Sequence, residues 1–276
     1  MMAPVQVAVT GPFDNPRSPA LRFLQEAARL GEVTVLLWPD GAARELDGKP
    51  PKFPLAERAY FLQALRYVKR VLPVTGPVAA NSLPRAPGFQ PGLWVVEEAR
   101  ASAAQRDFCE KENLPWRVLG GEQLGGFPAA ANPPAPAGAG RKKVIVTGTF
   151  DWLHSGHVRF FEEAAGLGDL YVVVGHDANI RLLKGAGHPL FPQEERRYMV
   201  GSIRFVSEAL ISTGQGWLDA APEIERLKPD IYAVNEDGDQ GGKREYCRER
   251  GIEYLVLKRL PASGLPRRSS TDLRGF

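Results

Sequence analysis

A chain of 276 residues, of which 43% are hydrophobic and 24% charged, has a normal globular composition and room for two domains of ordinary size. Its net charge of +3 is too small to predict general nucleic-acid binding, although a basic cleft would suit a nucleoside triphosphate. The sequence has no long apolar run and reaches a strand pattern at once, so we expect neither a membrane span nor a signal peptide. The two cysteines, Cys109 and Cys247, lack the spacing of a zinc or redox motif, which favours a cytoplasmic protein.

Strand and helix patterns alternate along the chain, in two halves separated by a linker. Near the N-terminus, an apolar run leads into Val9–Asp14. A segment with helical spacing, Leu21–Gly31, follows it. Residues 127–140 are rich in proline, alanine and glycine, which is typical of a linker. The second half has strand patterns at residues 144–146, 170–175, 208–211, 231–234 and 254–257, and helix patterns near 157–167, 193–205, 220–228 and 243–250. This alternation predicts an α/β fold with a parallel, Rossmann-like sheet.

The first half of the sequence repeats the second at a nearly constant offset. Val9–Asp14 aligns with Val146–Asp151, and Leu21–Gly31 aligns with Val158–Gly168. Farther along, the equivalent pairs are Phe53-Pro54 with Phe191-Pro192, Glu57-Arg58 with Glu195-Arg196, and Cys109 with Cys247. We therefore predict two tandem Rossmann-like domains, residues 1–126 and 141–276, joined by the linker at 127–140.

Thr147–His157 is the most informative segment, because it joins a predicted strand to a predicted helix through a glycine turn. The free N–H groups and the positive dipole end of a helix start attract an anion. Gly156 would let a nucleotide approach the backbone, while His154 and His157 can point into one cleft and donate to phosphate oxygens. Ordinary surface or core histidines are the simpler alternative, but two of only four histidines lie in this turn. The segment therefore predicts a phosphate site.

The residues Gly148–His157 resemble the G-T-F-D-x-L-H-x-G-H motif of the cytidylyltransferase-like nucleotidyltransferases. That family includes glycerol-3-phosphate cytidylyltransferase and the tandem phosphoethanolamine cytidylyltransferase. Three further segments resemble motifs of the family, in the family's order: a lysine loop at Leu182–Gly185, a helix start at Glu195–Arg197, and an Arg/Ser/Thr-rich segment at Arg259–Thr271. The resemblance spans about residues 142–274 and implies that the second half is a nucleotidyltransferase.

The resemblance also implies roles for individual residues. His154 and His157 would hold the α-phosphate through the transfer, and Lys184, in a glycine-containing loop, would neutralise the pyrophosphate leaving group. The implied nucleotide-binding residues are Thr149, Phe150, Gly156, Arg196, Asp237, Arg259, Arg268, Ser269, Ser270 and Thr271.

Some of these implied roles have open alternatives. Arg196 is equally compatible with a surface ion pair to Glu194 or Asp177. Ser269–Thr271 would open a last helix, either as an anion site or as a plain N-cap. Asn235-Glu236 departs from the Gly-Asp-Asp usual in the family, which leaves the base open.

The first copy has lost the motif. Arg17 and Ala20 stand where the second copy has its two histidines, and Pro19 replaces Gly156. These changes predict a degenerate copy that binds no nucleotide productively.

The implied reaction is in-line attack by a phosphate oxygen of a small acceptor on the α-phosphorus of a nucleoside triphosphate. The leading interpretation is transfer of CMP from CTP to a phosphorylated alcohol, polyol or sugar. The alternatives are an adenylyltransferase that uses ATP and a sugar phosphate, and a non-catalytic nucleotide sensor. Mg²⁺ is expected to arrive with the triphosphate, since the sequence shows no carboxylate cage for a resident metal.

We expect the two copies to pair as an intramolecular pseudo-dimer, with a homodimer as a further possibility. Single-copy members of the family are commonly homodimers, and a short linker holds two domains at a high effective concentration.

Overall fold

The computed structural model describes residues 3–128, 140–270 and 273. The chain divides into two compact units, Met1–Gly126 (unit 1) and Phe127–Phe276 (unit 2). Most of the predicted linker and the site residue Thr271 lie outside the described residues, as does most of the predicted last helix.

Unit 1 contains a five-stranded parallel sheet with helices between its strands. The sheet has the order β3-β2-β1-β4-β5. Its strands are β1 Gln6–Gly11, β2 Glu32–Leu37, β3 Val68–Pro73, β4 Leu93–Glu97 and β5 Trp116–Leu119. Its helices are α1 Ser18–Ala28, α2 Asp40–Asp47, α3 Leu55–Gln63, α4 Ala103–Lys111 and α5 Gly121–Leu124.

Unit 2 has the same topology, with the strand order β8-β7-β6-β9-β10 and all pairs parallel. Its strands are β6 Lys143–Gly148, β7 Asp169–Val174, β8 Val206–Ile211, β9 Ile231–Asn235 and β10 Glu253–Leu257. Its helices are α6 Ser155–Ala165, α7 Asp177–Lys184, α8 Gln193–Gly201, α9 Ala221–Leu227 and α10 Lys243–Glu249. The prediction of two tandem Rossmann-like parallel-sheet domains is confirmed.

Each unit has its own buried apolar cluster, and the two clusters occupy equivalent positions. In unit 1 it includes Ala8, Leu36, Trp94, Val96 and Cys109. The equivalent positions of unit 2 are Ile145, Val173, Tyr232, Val234 and Cys247. Both cysteines are therefore buried core residues in the free thiol form.

Helix α7 was not predicted from the sequence. It begins after His176, whose Nδ1 accepts from the N–H of Asn179 at 3.3 Å, and it runs to Lys184. The placement of Lys184 in a loop was thus wrong, because this residue ends a helix and the loop begins at Gly185. Among the described residues, no helix is long and apolar enough to cross a membrane.

Candidate active site

The candidate site lies at the carboxyl end of β6, where the strand order of the sheet reverses. β6 is flanked by β7 on one side and by β9 on the other, and α6 begins shortly after β6 ends. Open parallel sheets bind ligands at this point, because the loops after neighbouring strands diverge there and leave a crevice. The motif Thr147–His157 joins β6 to α6 and therefore lies beside this crevice.

The turn after β6 is shaped by Phe150, which adopts a left-handed backbone with φ 49°. Its ring is buried and packs edge-to-face on His157 and Phe161, with ring centroids 5.3 and 5.1 Å apart. A Cβ on Gly148 would stand 2.8 Å from this ring, so only glycine fits at that position. The side chain of Phe150 is therefore a packing group, and any contact with a nucleotide would come from its backbone.

His154 is the N-cap residue of α6. Its Nδ1 accepts from the N–H of Gly156 at 3.1 Å, and the residue is 3% exposed. Because Nδ1 accepts, the proton of the neutral imidazole is on Nε2. Capping of the helix thus fixes which nitrogen of His154 is a donor.

The two imidazoles of the motif lie face to face. The ring centroids of His154 and His157 are 4.0 Å apart, with an interplanar angle of 27°. His157 also hydrogen-bonds the backbone of Trp152. Within the described residues, Nε2 of His154 and Nδ1 of His157 are buried and have no hydrogen-bond partner. Buried polar atoms without partners are costly, and here two of them come from adjacent stacked rings, as expected of groups that bind a ligand.

Both imidazoles are neutral over the physiological pH range. Burial, together with the nearby His157, Arg259 and Arg268, holds the pKa of His154 far below its usual value. Burial, followed by the charge of Arg259, lowers the pKa of His157 to about 3, with Lys184 contributing in the same direction. The positive charges that contribute to these lowered pKa values belong to the three predicted cations, Lys184, Arg259 and Arg268.

The C-terminal segment packs against the turn that carries the histidines. Gly156, Asn235, Arg259 and Arg268 line one narrow cavity of about 10 Å³. A Cβ on Gly156 would stand 2.9 Å from Cε1 of His154 and 3.5 Å from the carbonyl oxygen of Arg268. Gly156 thus permits close packing of the imidazole and of the C-terminal segment, in addition to the predicted approach of a nucleotide.

Asp237 and Arg259 form an ion pair beside this cavity. Nη1 of Arg259 lies 2.5 Å from Oδ2 of Asp237, and its Nη2 donates to the carbonyl oxygen of Arg268 at 3.1 Å. Asp237 follows β9 in a short 3-10 turn, Glu236–Gly238. It therefore orients an arginine of the site.

The predicted hydroxyl groups are only partly described. Ser269 and Ser270 are half-buried, and Oγ of Ser270 donates to the carbonyl oxygen of Trp152 at 3.4 Å. Both serines lie outside regular helix, and Thr271 lies outside the described residues.

Arg196 is buried beneath the site, at 1% exposure. Its guanidinium donates to the carbonyl oxygens of Thr149, Gly175 and Phe191 at 2.7, 2.7 and 2.9 Å, and to Asp177 at 2.7 Å. The ion pair with Asp177 that the sequence left open is present, but at a buried arginine. Arg196 thus ties the Thr149 turn to the end of β7 through contacts with backbone carbonyl groups and Asp177.

Two cations that sequence reasoning missed, Lys258 and Arg267, also line the narrow cavity. Lys258 directly follows β10, so its position after a predicted strand was a usable signal.

Comparisons with known proteins place unit 2 in a family. The model of the cytidylyltransferase-like family matches residues 145–275. An FAD synthase of Ferroglobus placidus is 42% identical over 120 residues, which cover 42% of this chain and 75% of that protein. An FAD synthase of Methanocella paludicola is 34% identical over 135 residues, covering 48% and 93%.

Among solved structures, a lipopolysaccharide core biosynthesis protein of Thermoplasma volcanium GSS1 matches 45% of this chain and 100% of its own. The two chains are 25% identical, with a TM-score of 0.38. These sequence matches show that the chain belongs to the cytidylyltransferase-like family of nucleotidyltransferases. The relatives named above are FAD synthases, so the prediction of a nucleotidyltransferase is confirmed at the level of the reaction class.

Proposed function

We propose that the protein is an adenylyltransferase that joins the AMP part of ATP to the phosphate of FMN, forming FAD and releasing pyrophosphate. The relatives are named for FAD synthesis, and this supports ATP in place of the CTP that the motif resemblance favoured. FMN is itself a phosphorylated polyol, so the predicted class of acceptor is kept. The observation that carries the proposal is the pair of buried, partner-free nitrogens on His154 and His157 beside Arg259 and Arg268.

The proposed chemistry is a single in-line displacement. A phosphate oxygen of FMN attacks the α-phosphorus of ATP, the bond from this phosphorus to the bridging oxygen breaks, and pyrophosphate leaves with the electron pair. The acceptor phosphate is ionised at neutral pH and needs no general base. The work of the protein is therefore positioning and charge stabilisation.

Each group of the site has a place in this step. Nε2–H of His154 donates to an α-phosphate oxygen as charge develops on it, and the ring of His157, held by its hydrogen bond to the Trp152 backbone, stacks on His154 and fixes that donor in place. Arg259 and Arg268 supply the positive charge that the neutral imidazoles do not, and Lys184 faces the leaving group. We propose Arg196 as a positioning residue for Thr149 rather than as a nucleotide ligand.

Mg²⁺ enters this scheme as part of the ATP substrate. Within the described residues, no cluster of three or more His, Cys, Asp or Glu side chains can hold a resident metal ion. The triphosphate itself provides the oxygen ligands that Mg²⁺ prefers.

Turnover assays with the full chain test the proposal. Mg-ATP or Mg-CTP is combined with FMN or with glycerol 3-phosphate, and both pyrophosphate and the nucleotide product are measured. We expect equal amounts of pyrophosphate and FAD from ATP with FMN, and no product from the His157→Asn control. Product from CTP with glycerol 3-phosphate would overturn the choice of substrates. Pyrophosphate from none of the four mixtures would contradict catalysis and favour the nucleotide sensor.

A further inference from the structure

Unit 1 contains a cavity of about 690 Å³. Its place in the fold is equivalent to that of the candidate active site in unit 2. The cavity lies at the carboxyl ends of β1 and β4, where the strand order of the unit 1 sheet reverses. Small-molecule sites in parallel sheets lie at this point and have volumes of about 300–1,000 Å³. The loss of the histidine motif has therefore not closed the site.

Aromatic residues line part of the cavity, and Phe13 is the most exposed of them. Phe13 is half-buried and Trp38 is 7% exposed, whereas Trp94 is 1% exposed and packs within the apolar cluster of unit 1. Nε1 of Trp38 donates to Oγ1 of Thr10 at 2.7 Å, which satisfies its polar atom and fixes the ring. Rigid aromatic walls of this kind favour a ligand with a planar ring system.

One replacement leaves space beside Phe13 that an imidazole fills in unit 2. In unit 2, the ring of His157 packs on Phe150 with ring centroids 5.3 Å apart. Ala20 holds the equivalent position in unit 1 and has no ring to cover Phe13. Both Ala20 and Phe13 line the cavity.

Two arginines give the cavity an anion-binding side. Arg17 stands in the place of His154 at the start of α1, and Arg100 follows β4. Nη1 of Arg100 lies 3.8 Å from the position that a Cβ on Gly11 would take, and within residues 3–128 this guanidinium makes no ion pair. Arginine is well suited to phosphate groups, because its donors match two oxygens at once.

Three carboxylates also border the cavity, and they differ in exposure and in the hydrogen bonds that they already accept. Asp14 already accepts the N–H groups of Lys52 and Phe53, at 2.8 and 3.0 Å. Glu97, at the end of β4, is half-buried, and Asp47 is exposed at the rim. Carboxylates in such positions can accept hydrogen bonds from sugar or polyol hydroxyl groups.

We infer that unit 1 binds one molecule of a phosphate monoester that carries a planar heterocycle, and that it binds this molecule without transferring it. Phe13 and Trp38 contact the heterocycle, and Arg17 and Arg100 bind the phosphate. Glu97 accepts from the hydroxyl groups between these two parts. No transfer occurs there, because both imidazoles of the motif are absent from unit 1.

Two sources share this ligand chemistry, an adenine mononucleotide and a flavin mononucleotide. Calorimetry on the full chain with AMP and with FMN tells them apart, with adenosine and riboflavin as probes that lack the phosphate. Because unit 2 can contribute binding of its own, the same titrations are made on variants of unit 1. Ala20→Trp fills the cavity, and Arg100→Ala removes a phosphate contact. Arg29→Ala, at the far end of α1 and outside the cavity, is the matched control.

We expect at least one of the two mononucleotides to bind at a site that Ala20→Trp abolishes and Arg29→Ala leaves intact. Arg100→Ala should weaken the same site by about 10- to 100-fold, the usual effect of a lost charge-assisted hydrogen bond. Adenosine or riboflavin should bind there correspondingly more weakly. Arg100→Ala changes an exposed residue and serves as the test if Ala20→Trp fails to fold. The inference is wrong if neither AMP nor FMN binds, or if all binding survives both unit 1 variants. Since the readout is binding, this test is independent of turnover in unit 2.

Discussion

Arg58 and Arg196 hold equivalent places in the two units and make the same set of contacts. Each guanidinium is buried, ties the turn after the first strand to the end of the second strand, and pairs with one aspartate. The acceptors are the carbonyl oxygens of Pro12, Trp38 and Phe53 with Asp40 in unit 1, and those of Thr149, Gly175 and Phe191 with Asp177 in unit 2. Unit 1 keeps this arginine although it has lost the histidines, as a structural role requires.

Replacing either arginine by methionine should therefore destabilise the protein. Arg196→Met and Arg58→Met each leave an aspartate and several buried carbonyl oxygens without a donor, which costs about 3–5 kcal/mol. Urea unfolding measures the loss. If Arg196 instead bound the nucleotide directly, Arg196→Met would raise KM for ATP while the unfolding transition stayed in place.

Loss of either motif histidine should abolish most turnover without unfolding the chain. Removing the His154 donor to a transition-state oxygen, or the His157 ring that fixes this donor, costs up to about 3–4 kcal/mol, or roughly 10²–10³-fold in kcat/KM. His154→Ala also removes the N-cap of α6, worth about 0.5–2 kcal/mol. His154→Asn is the matched variant, since asparagine can cap the helix but cannot replace Nε2–H. Steady-state kinetics in which His154→Asn or His157→Ala remains close to wild type would rule out the proposed roles.

Lys184 and Arg181 offer a matched pair of cations on α7. Lys184→Ala should raise KM for ATP by about 10- to 100-fold, because a charge-assisted contact to phosphate is worth about 1.5–3 kcal/mol. Arg181→Ala, an exposed change on the same helix, should leave KM unchanged. Equal effects of the two substitutions would mean that only the general positive charge of α7 matters.

The two neutral imidazoles should make stability depend on pH. An unfolded histidine takes up a proton below its ordinary pKa of 6.5, whereas burial lowers the pKa of His157 to about 3 and holds that of His154 far below its usual value. The unfolded state therefore binds more protons in acid, so stability is full above about pH 6.5 and is lost as the pH falls toward 3. Each imidazole contributes a slope of up to about 1.4 kcal/mol per pH unit. Urea unfolding between pH 7.5 and 4.5 measures this slope. The double variant His154→Asn/His157→Asn should have a shallower slope, and an unchanged slope would contradict the argument.

The sequence predicts the two sheets and the histidine turn because both depend on local patterns and on the internal repeat. It misses α7, since Leu182 and Leu183 are 71% and 52% exposed and give the helix no regular buried face. The burial of Arg196 depends on carbonyl groups from three separate loops, which no spacing of residues reveals. The cavity of unit 1 is beyond sequence reasoning for the same reason, since its walls come from distant segments.

The matched cores also bear on how a chain with two similar halves folds correctly. Ala8 of β1 lies opposite Trp94 of β4, whereas the equivalent pair in unit 2 is Ile145 opposite Tyr232. Exchange of the first strands between units would place alanine against tyrosine and isoleucine against tryptophan, leaving a void in one sheet and overfilling the other. Mispairing between similar neighbouring domains is a characteristic hazard during synthesis. The two units divide side-chain volume differently between the paired strands. Each unit therefore packs best with its own first strand.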